Sequence, residues 1–193
     1  MNITVYCGAS LGNQPEYQQA AVALGRWIVQ KQHTLIYGGG RVGLMGVLAD
    51  TVLANGGKVI GIIPAFLQAR ELTHSDCTEL IVVDSMAERK GCMLKLTDAC
   101  IALPGGPGTL EEITEVYSWT RLGKNPHPCI LFNTNGFYEP LRAMYQRMVE
   151  TDFLTETYFK KLLFSDNFTE IERFIAEYQP PEIRANADRK SVV

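Results

Sequence analysis

The stretch ACIALPGGPGTLEEITEVYSWT, residues 99–120, decides the fold. It opens as a short apolar run, turns through three glycines and two prolines, and continues with apolar residues at helical spacing. Strand, glycine turn and helix in immediate succession are the repeating unit of a sheet whose crossovers are helical. The same alternation extends both ways. Upstream lie ITVYC and a helix over 15–31, TLIY and a helix over 43–55, KVIGII, then LIVV and a helix over 86–97. Downstream the helix begun at 109 runs to 122, PCILF precedes a helix over 137–150, and shorter helical patterns cover 155–163 and 168–178. This order predicts the α/β class: a single-domain, Rossmann-like, doubly wound parallel sheet with helices on both faces. With no internal repeat and no linker, residues 1–180 are expected to form that domain. Residues 181–193, within the polar end QPPEIRANADRKSVV, are expected to be a loosely ordered tail.

A chain of 193 residues suits one domain with a full core. The net charge of −3, the pI near 5.7 and the lack of any lysine or arginine run argue against nucleic acid and membrane surfaces as partners. No segment approaches the length of a membrane span, and MNITVYCGAS enters a strand without a leader pattern. Five cysteines without a CxxC pair read as reduced thiols, which places the protein in the cytoplasm. His33, His74 and His127 have no metal-ligand spacing and read as surface or loop residues, so neither metal nor cofactor is expected. The remaining partners are a small molecule and a second copy of the chain.

Two glycine loops compete for a phosphate. GGGRVG, residues 38–43, satisfies G-x-G-x-x-G, but the next strand, KVIGIIP, lacks the acidic residue that would bind a dinucleotide ribose. Gly39 and Gly40 stay open between phosphate contact and close strand–helix packing. PGGPGT is the better cradle, because Gly105, Gly106 and Gly108 expose backbone N–H groups where a helix dipole favours negative charge. It lacks the GK[ST] ending of a triphosphate loop, so a monophosphate fits. Ser10, in CGAS, lacks a nucleophile's G-x-S-x-G setting and offers a hydrogen bond at the end of the first strand.

The carboxylates beside that cradle separate on a helical wheel. Thr109 and Glu112 have the spacing of a capping box, which by itself accounts for an acidic residue there. Yet Leu110, Ile113, Val116, Tyr117 and Trp119 define an apolar arc, and Glu112 falls inside it while Glu111 and Glu115 fall outside. A carboxylate aimed into enclosed space is costly unless paired or working, so Glu112 is the functional candidate. In SMAERKGCMLKLTD, residues 85–98, Ser85 and Glu88 form a second capping box, and Arg89 lies between Met93 and Leu96 on the apolar side. A structural salt bridge or an anionic ligand would balance Arg89. Carboxylate, arginine and monophosphate cradle together suit cleavage through an oxocarbenium-like transition state. Glu112 would activate water or stabilise the sugar cation, and Arg89 would hold the phosphate or the departing base. Met86, Met93, Tyr117 and Trp119 read as core, some of them bordering a purine.

ERKGCM at 88–93 with PGGPGTLEE at 104–112 resembles the paired signature of the Lonely Guy (LOG) family, and the resemblance runs from CGAS through GGGRVGLMG to SWTRLG. It implies a phosphoribohydrolase that cuts N6-modified adenosine 5′-monophosphates, the cytokinin ribotides, to free base and ribose 5-phosphate. By matching position it implies Arg89 and Glu112 as catalytic residues. Glu71, Lys90, Gly106, Pro107, Gly108 and Thr109 are the implied substrate contacts, to which Ser10, Gly39, Gly40, Gly105 and Ser118 are added as candidates. Ser118 keeps a hydroxyl where threonine is common, and Pro107 replaces a common tyrosine. The resemblance further implies a homodimer with each pocket near the interface. A carrier or sensor that binds a nucleotide without consuming it is the alternative. Sequences of this kind have been labelled lysine decarboxylases, an activity that needs a lysine Schiff base with pyridoxal phosphate; the setting of Lys90 and Lys95 fits solvent and phosphate better.

Overall fold

The computed structural model describes residues 1–68 and 73–183. The apolar runs become strands β1 (Asn2–Tyr6), β2 (Thr34–Tyr37), β3 (Lys58–Pro64), β4 (Glu79–Val83), β5 (Ala99–Ala102) and β6 (Cys129–Leu131), joined by β7 (Leu162–Phe164). All pair in parallel, in the order β4-β3-β2-β1-β5-β6-β7. Between and after them run α1 (Pro15–Gln30), α2 (Gly43–Ala54), α3 (Ala65–Gln68), α4 (Met86–Leu96), α5 (Pro107–Thr120), α6 (Glu139–Glu150), α7 (Glu156–Phe159) and α8 (Phe168–Glu177).

Alternate strand residues feed two cores. Ile3, Val5, Leu35, Tyr37, Ile101 and Ile130 pack with α1, α2 and α8 on one face. Tyr6, Ile36, Cys100, Ala102 and Leu131 pack with α4, α5, α6 and α7 on the other. Period-two burial with helices above and below gives the doubly wound sheet expected from the alternation. Among the described residues no helix is long and apolar enough to cross a membrane.

Several local expectations are corrected. The pattern over 155–163 is helical only across α7; Leu162–Phe164 instead adds a seventh strand, with Leu162 opposite Cys129. Three residues are too few to show a strand period. Helix α5 begins at Pro107, two residues early, with Gly106 as its N-cap and no side-chain cap. Thr109 therefore sits inside the helix and the Thr109–Glu112 capping box does not form. Of the Ser85–Glu88 box one half forms: the Glu88 N–H donates to Ser85 Oγ at 3.1 Å, while Glu88 Oε2 accepts from the N–H of Asp84, one residue before the cap, at 2.9 Å. Leu110, assigned to the apolar arc, is exposed. His74 lies in a loop but is fully buried, its Nε2 2.9 Å from Asp50 Oδ1, a carboxylate too distant in sequence to be anticipated. Of the tail, residues 184–193 lie outside the described ones.

The strand order reverses between β1 and β5, and ligands of open α/β sheets sit outside the carboxyl ends of the strands at that switch. Backbone hydrogen bonds lace the loops there: Leu103 N–H to Tyr6 O (2.9 Å), Gly8 N–H to Pro104 O (3.1 Å) and Leu44 N–H to Gly8 O (3.0 Å). The three glycine-bearing turns thus converge on one crevice.

Candidate active site

A cavity of about 280 Å³ opens at the switch point. The end of β1 supplies Tyr6, Cys7 and Ala9, the turn after β2 supplies Gly38, and α2 supplies Met45. Leu67 comes from α3, Met86, Arg89 and Met93 from α4, and Gly106, Gly108, Thr109, Glu111 and Glu112 from the start of α5. One wall is apolar, with three of the protein's six methionines on it. The other combines a helix N-terminus with ionic side chains.

The wheel placements of Glu112 and Arg89 are realised. Glu112 is 7% exposed, and the side chain of Arg89 is 11% exposed. Arg89 Nη2 donates to Glu112 Oε1 in an ion pair that joins α4 to α5. No described residue donates to Glu112 Oε2, and Arg89 Nε is buried without a hydrogen-bond partner among the described residues. Burial pushes the Glu112 carboxyl above its ordinary pKa; the Arg89 guanidinium pulls it down and only partly offsets the desolvation. The result is a buried, paired carboxyl whose second oxygen, Oε2, accepts from no described residue.

Lys90 stands off the cavity wall. Its Nζ donates to Glu111 Oε1 at 2.6 Å and lies 2.9 Å from Glu115 Oε2, and these two carboxylates raise its pKa. Pyridoxal phosphate chemistry requires a lysine able to shed its proton. Lys90 is held as an ammonium and Lys95 is exposed in the last turn of α4, so neither fits that cofactor.

The glycines divide by what surrounds them. A methyl group on Gly105 would overlap the Thr109 hydroxyl and stand 2.9 Å from Gly8 N, so this glycine permits two loops to touch. Around Gly106 and Gly108 none of the described residues lies within 4 Å of such a methyl. Their lack of a side chain leaves room beside the helix N-terminus, where unpaired N–H groups favour an anion.

The other candidates lie elsewhere. Ser10 and Gly105 border an adjoining cavity of about 200 Å³ that shares Gly106. Gly39, at φ +78°, faces Ile63 of β3, and Gly40 bridges to Thr73; both shape the turn and neither lines the main cavity. Pro107 is exposed at the first position of α5. Ser118 is further along α5 on its exposed side, with its hydroxyl donated to the Glu115 carbonyl at 2.7 Å. Glu71 lies outside the described residues. The sequence reading missed Gly38, Met45, Cys7 and Leu67. Cys7 and Gly38 fall just beyond the carboxyl ends of β1 and β2, whereas Met45 and Leu67 lie inside α2 and α3, where no positional signal marks them.

A family model described as possible lysine decarboxylase matches residues 45–174. A cytokinin riboside 5′-monophosphate phosphoribohydrolase of Rhodococcoides fascians is 46% identical over 155 residues, covering 80% of this chain and 78% of the relative. The chain belongs to the Lonely Guy family. A second family member of the same name, from Arabidopsis thaliana, is 40% identical over 178 residues, covering 92% of this chain and 82% of its own length. The fold is shared more widely than the Lonely Guy family's sequence. The molybdenum cofactor carrier protein of Chlamydomonas reinhardtii superposes with a TM-score of 0.67 at 16% identity, over 92% of this chain and 98% of the carrier. The molybdenum cofactor binding protein of Rippkaea orientalis gives 0.65 at 20% identity, over 91% and 96% of the two chains.

Proposed function

We infer that the protein is a hydrolase of the N-glycosidic bond of adenosine 5′-monophosphates, N6-modified ones in particular, releasing the free base and ribose 5-phosphate. This is the activity named for its relatives at 40–46% identity. The observation that carries it is the buried Arg89–Glu112 pair beside the start of α5. The helix N-terminus and the open space at Gly106 and Gly108 would take the 5′-phosphate. The apolar wall would take the base and its N6 substituent.

Cleavage separates the base from C1′ and leaves positive charge on the sugar. The ionised Glu112 would stabilise that charge and remove a proton from the water attacking C1′. A carboxyl with a raised pKa suits this proton transfer at neutral pH. Arg89, whose Nε has no partner among the described residues, would hold the anionic or departing group. We place the reaction in the cytoplasm and in a homodimer, with each pocket near the interface, which sedimentation at twice 21.5 kDa would support.

Incubation with isopentenyladenosine monophosphate, AMP and the corresponding nucleosides tests the reading. Base release from the monophosphates alone is expected, and Glu112→Gln is expected to bind nucleotide while losing at least about a hundredfold in kcat. Full turnover by Glu112→Gln sinks the role given to that residue. Nucleotide that stays bound and intact on the wild-type protein favours a carrier instead.

A further inference from the structure

The turn after β2 reaches the cavity at Gly38 and continues through Gly39 and Gly40, so it has no side chains of its own to hold it there. Successive glycines have the widest choice of backbone conformations open to a chain, and a fixed turn built from them has to be held from outside. His74 holds it on two sides. Its backbone N–H donates to the Gly39 carbonyl at 3.0 Å, next to the antiparallel bridge of Gly40 with Thr73. Its ring crosses to α2, where Nε2 lies 2.9 Å from Asp50 Oδ1. The ring is fully buried and the Asp50 side chain is exposed, so the contact is an imidazole N–H anchored on a surface carboxylate. Nδ1 is buried without a partner among the described residues. Packing alone would favour an apolar side chain at such a position, which leaves the Nε2 contact as the reason for a histidine.

The turn held in this way meets the ion pair of the site. A methyl group on Gly38 would stand 3.5 Å from Arg89 Nη2 and 3.5 Å from Met45 Sδ. The bare Gly38 backbone therefore lies against the nitrogen that Arg89 donates to Glu112. Met45 rises from the first turn of α2, the helix that carries Asp50.

We propose that His74 is a positioning residue: by fastening the Gly38–Gly40 turn to α2 through Asp50, it fixes the backbone against which the Arg89 guanidinium rests. Its effect on turnover rests on the hydrolase reading above. A displacement of about 1 Å at a reacting group can cost on the order of a hundredfold in rate, so a loosened turn reaches kcat with every cavity side chain still present. Because Nε2 alone makes the contact, two amide side chains separate the roles. Glutamine carries its amide nitrogen to about the reach of Nε2, whereas asparagine ends near Nδ1 and falls short of Asp50.

The test uses the full chain and isopentenyladenosine monophosphate, well below the melting temperature of every variant. His74→Asn and Asp50→Ala are each expected to lower kcat about tenfold with KM within about threefold, and His74→Gln to stay within about twofold of wild type. The His74→Asn/Asp50→Ala double variant is expected to lose no more than either single one, because the two changes break one contact. In an Arg89→Lys background, which removes the guanidinium that rests on Gly38, His74→Asn is expected to cost less than about twofold. The same loss in both backgrounds overturns the proposal, as does a His74→Gln variant as slow as His74→Asn. Unchanged kcat in His74→Asn or Asp50→Ala overturns it as well, with or without a rise in KM. A second readout needs no turnover. The resonance of the buried Arg89 Nε–H, assigned by its absence from Arg89→Lys, is expected to shift in His74→Asn and Asp50→Ala and to hold in His74→Gln. A resonance unmoved in all three overturns the link to Arg89. A failed hydrolase reading appears separately, as wild-type protein that releases no base, and leaves this spectrum to decide. Thermal melts check that each variant folds, and Asp50→Ala, at an exposed carboxylate, carries the comparison if His74→Asn does not.

Discussion

Glu112 is held between two opposed influences, burial that favours its neutral form and a guanidinium that favours its charge. A carboxyl whose pKa is raised by folding contributes its full stability below its unfolded value, about 4.3, and loses it as pH rises through the folded value. Arg89→Met removes the chief opposing charge and raises the folded value further. The variant is expected to lose about 3 kcal/mol of unfolding free energy near pH 8, with the deficit shrinking toward pH 4, as read by urea denaturation across pH. A deficit independent of pH would mean that Arg89 contributes packing rather than charge. Both residues were legible in the sequence because a charge on an apolar helical arc is physically conspicuous. Met45, Leu67 and Gly38 were not, because nothing chemical separates a methionine or leucine on a cavity wall from one in a core, and nothing marks which glycine of three borders a ligand.

The start of α5 shows how an element can be right in kind and wrong in detail. The glycine turn and the following helix were legible, but Pro107 at the first helical position and Gly106 as N-cap displaced the expected threonine cap. That shift matters chemically, since it frees the Glu112 side chain from the helix start and places Thr109 on the cavity wall. Gly105→Ala is expected to destabilise the protein by about 1–3 kcal/mol, because the methyl group meets Thr109 and the backbone of Gly8. Gly108→Ala meets none of the described residues and replaces a helical glycine, so its melting temperature should hold or rise while KM for the monophosphate increases. If Gly108→Ala leaves KM unchanged, the phosphate lies elsewhere. Strand β7 was illegible for a different reason: its identity comes from pairing with β6, not from any pattern of its own.

At the scale of the whole molecule, the sheet class and its two-sided covering were readable from alternation alone, whereas strand order was not, because it depends on which face each crossover takes. The observed order has a consequence in time. Residues of β1 pair with β2 through one short helical excursion, but Ile3 meets Ala99 only after half the chain has been laid down. Closing so long a loop is slow relative to forming helices and neighbouring strands. During refolding from denaturant, helical signal should therefore return first and nucleotide cleavage later, with the phase that docks β5 against β1. Until that strand arrives, a newly made chain can own most of its secondary structure and still have no active site, because the cavity is itself one of the last contacts to form.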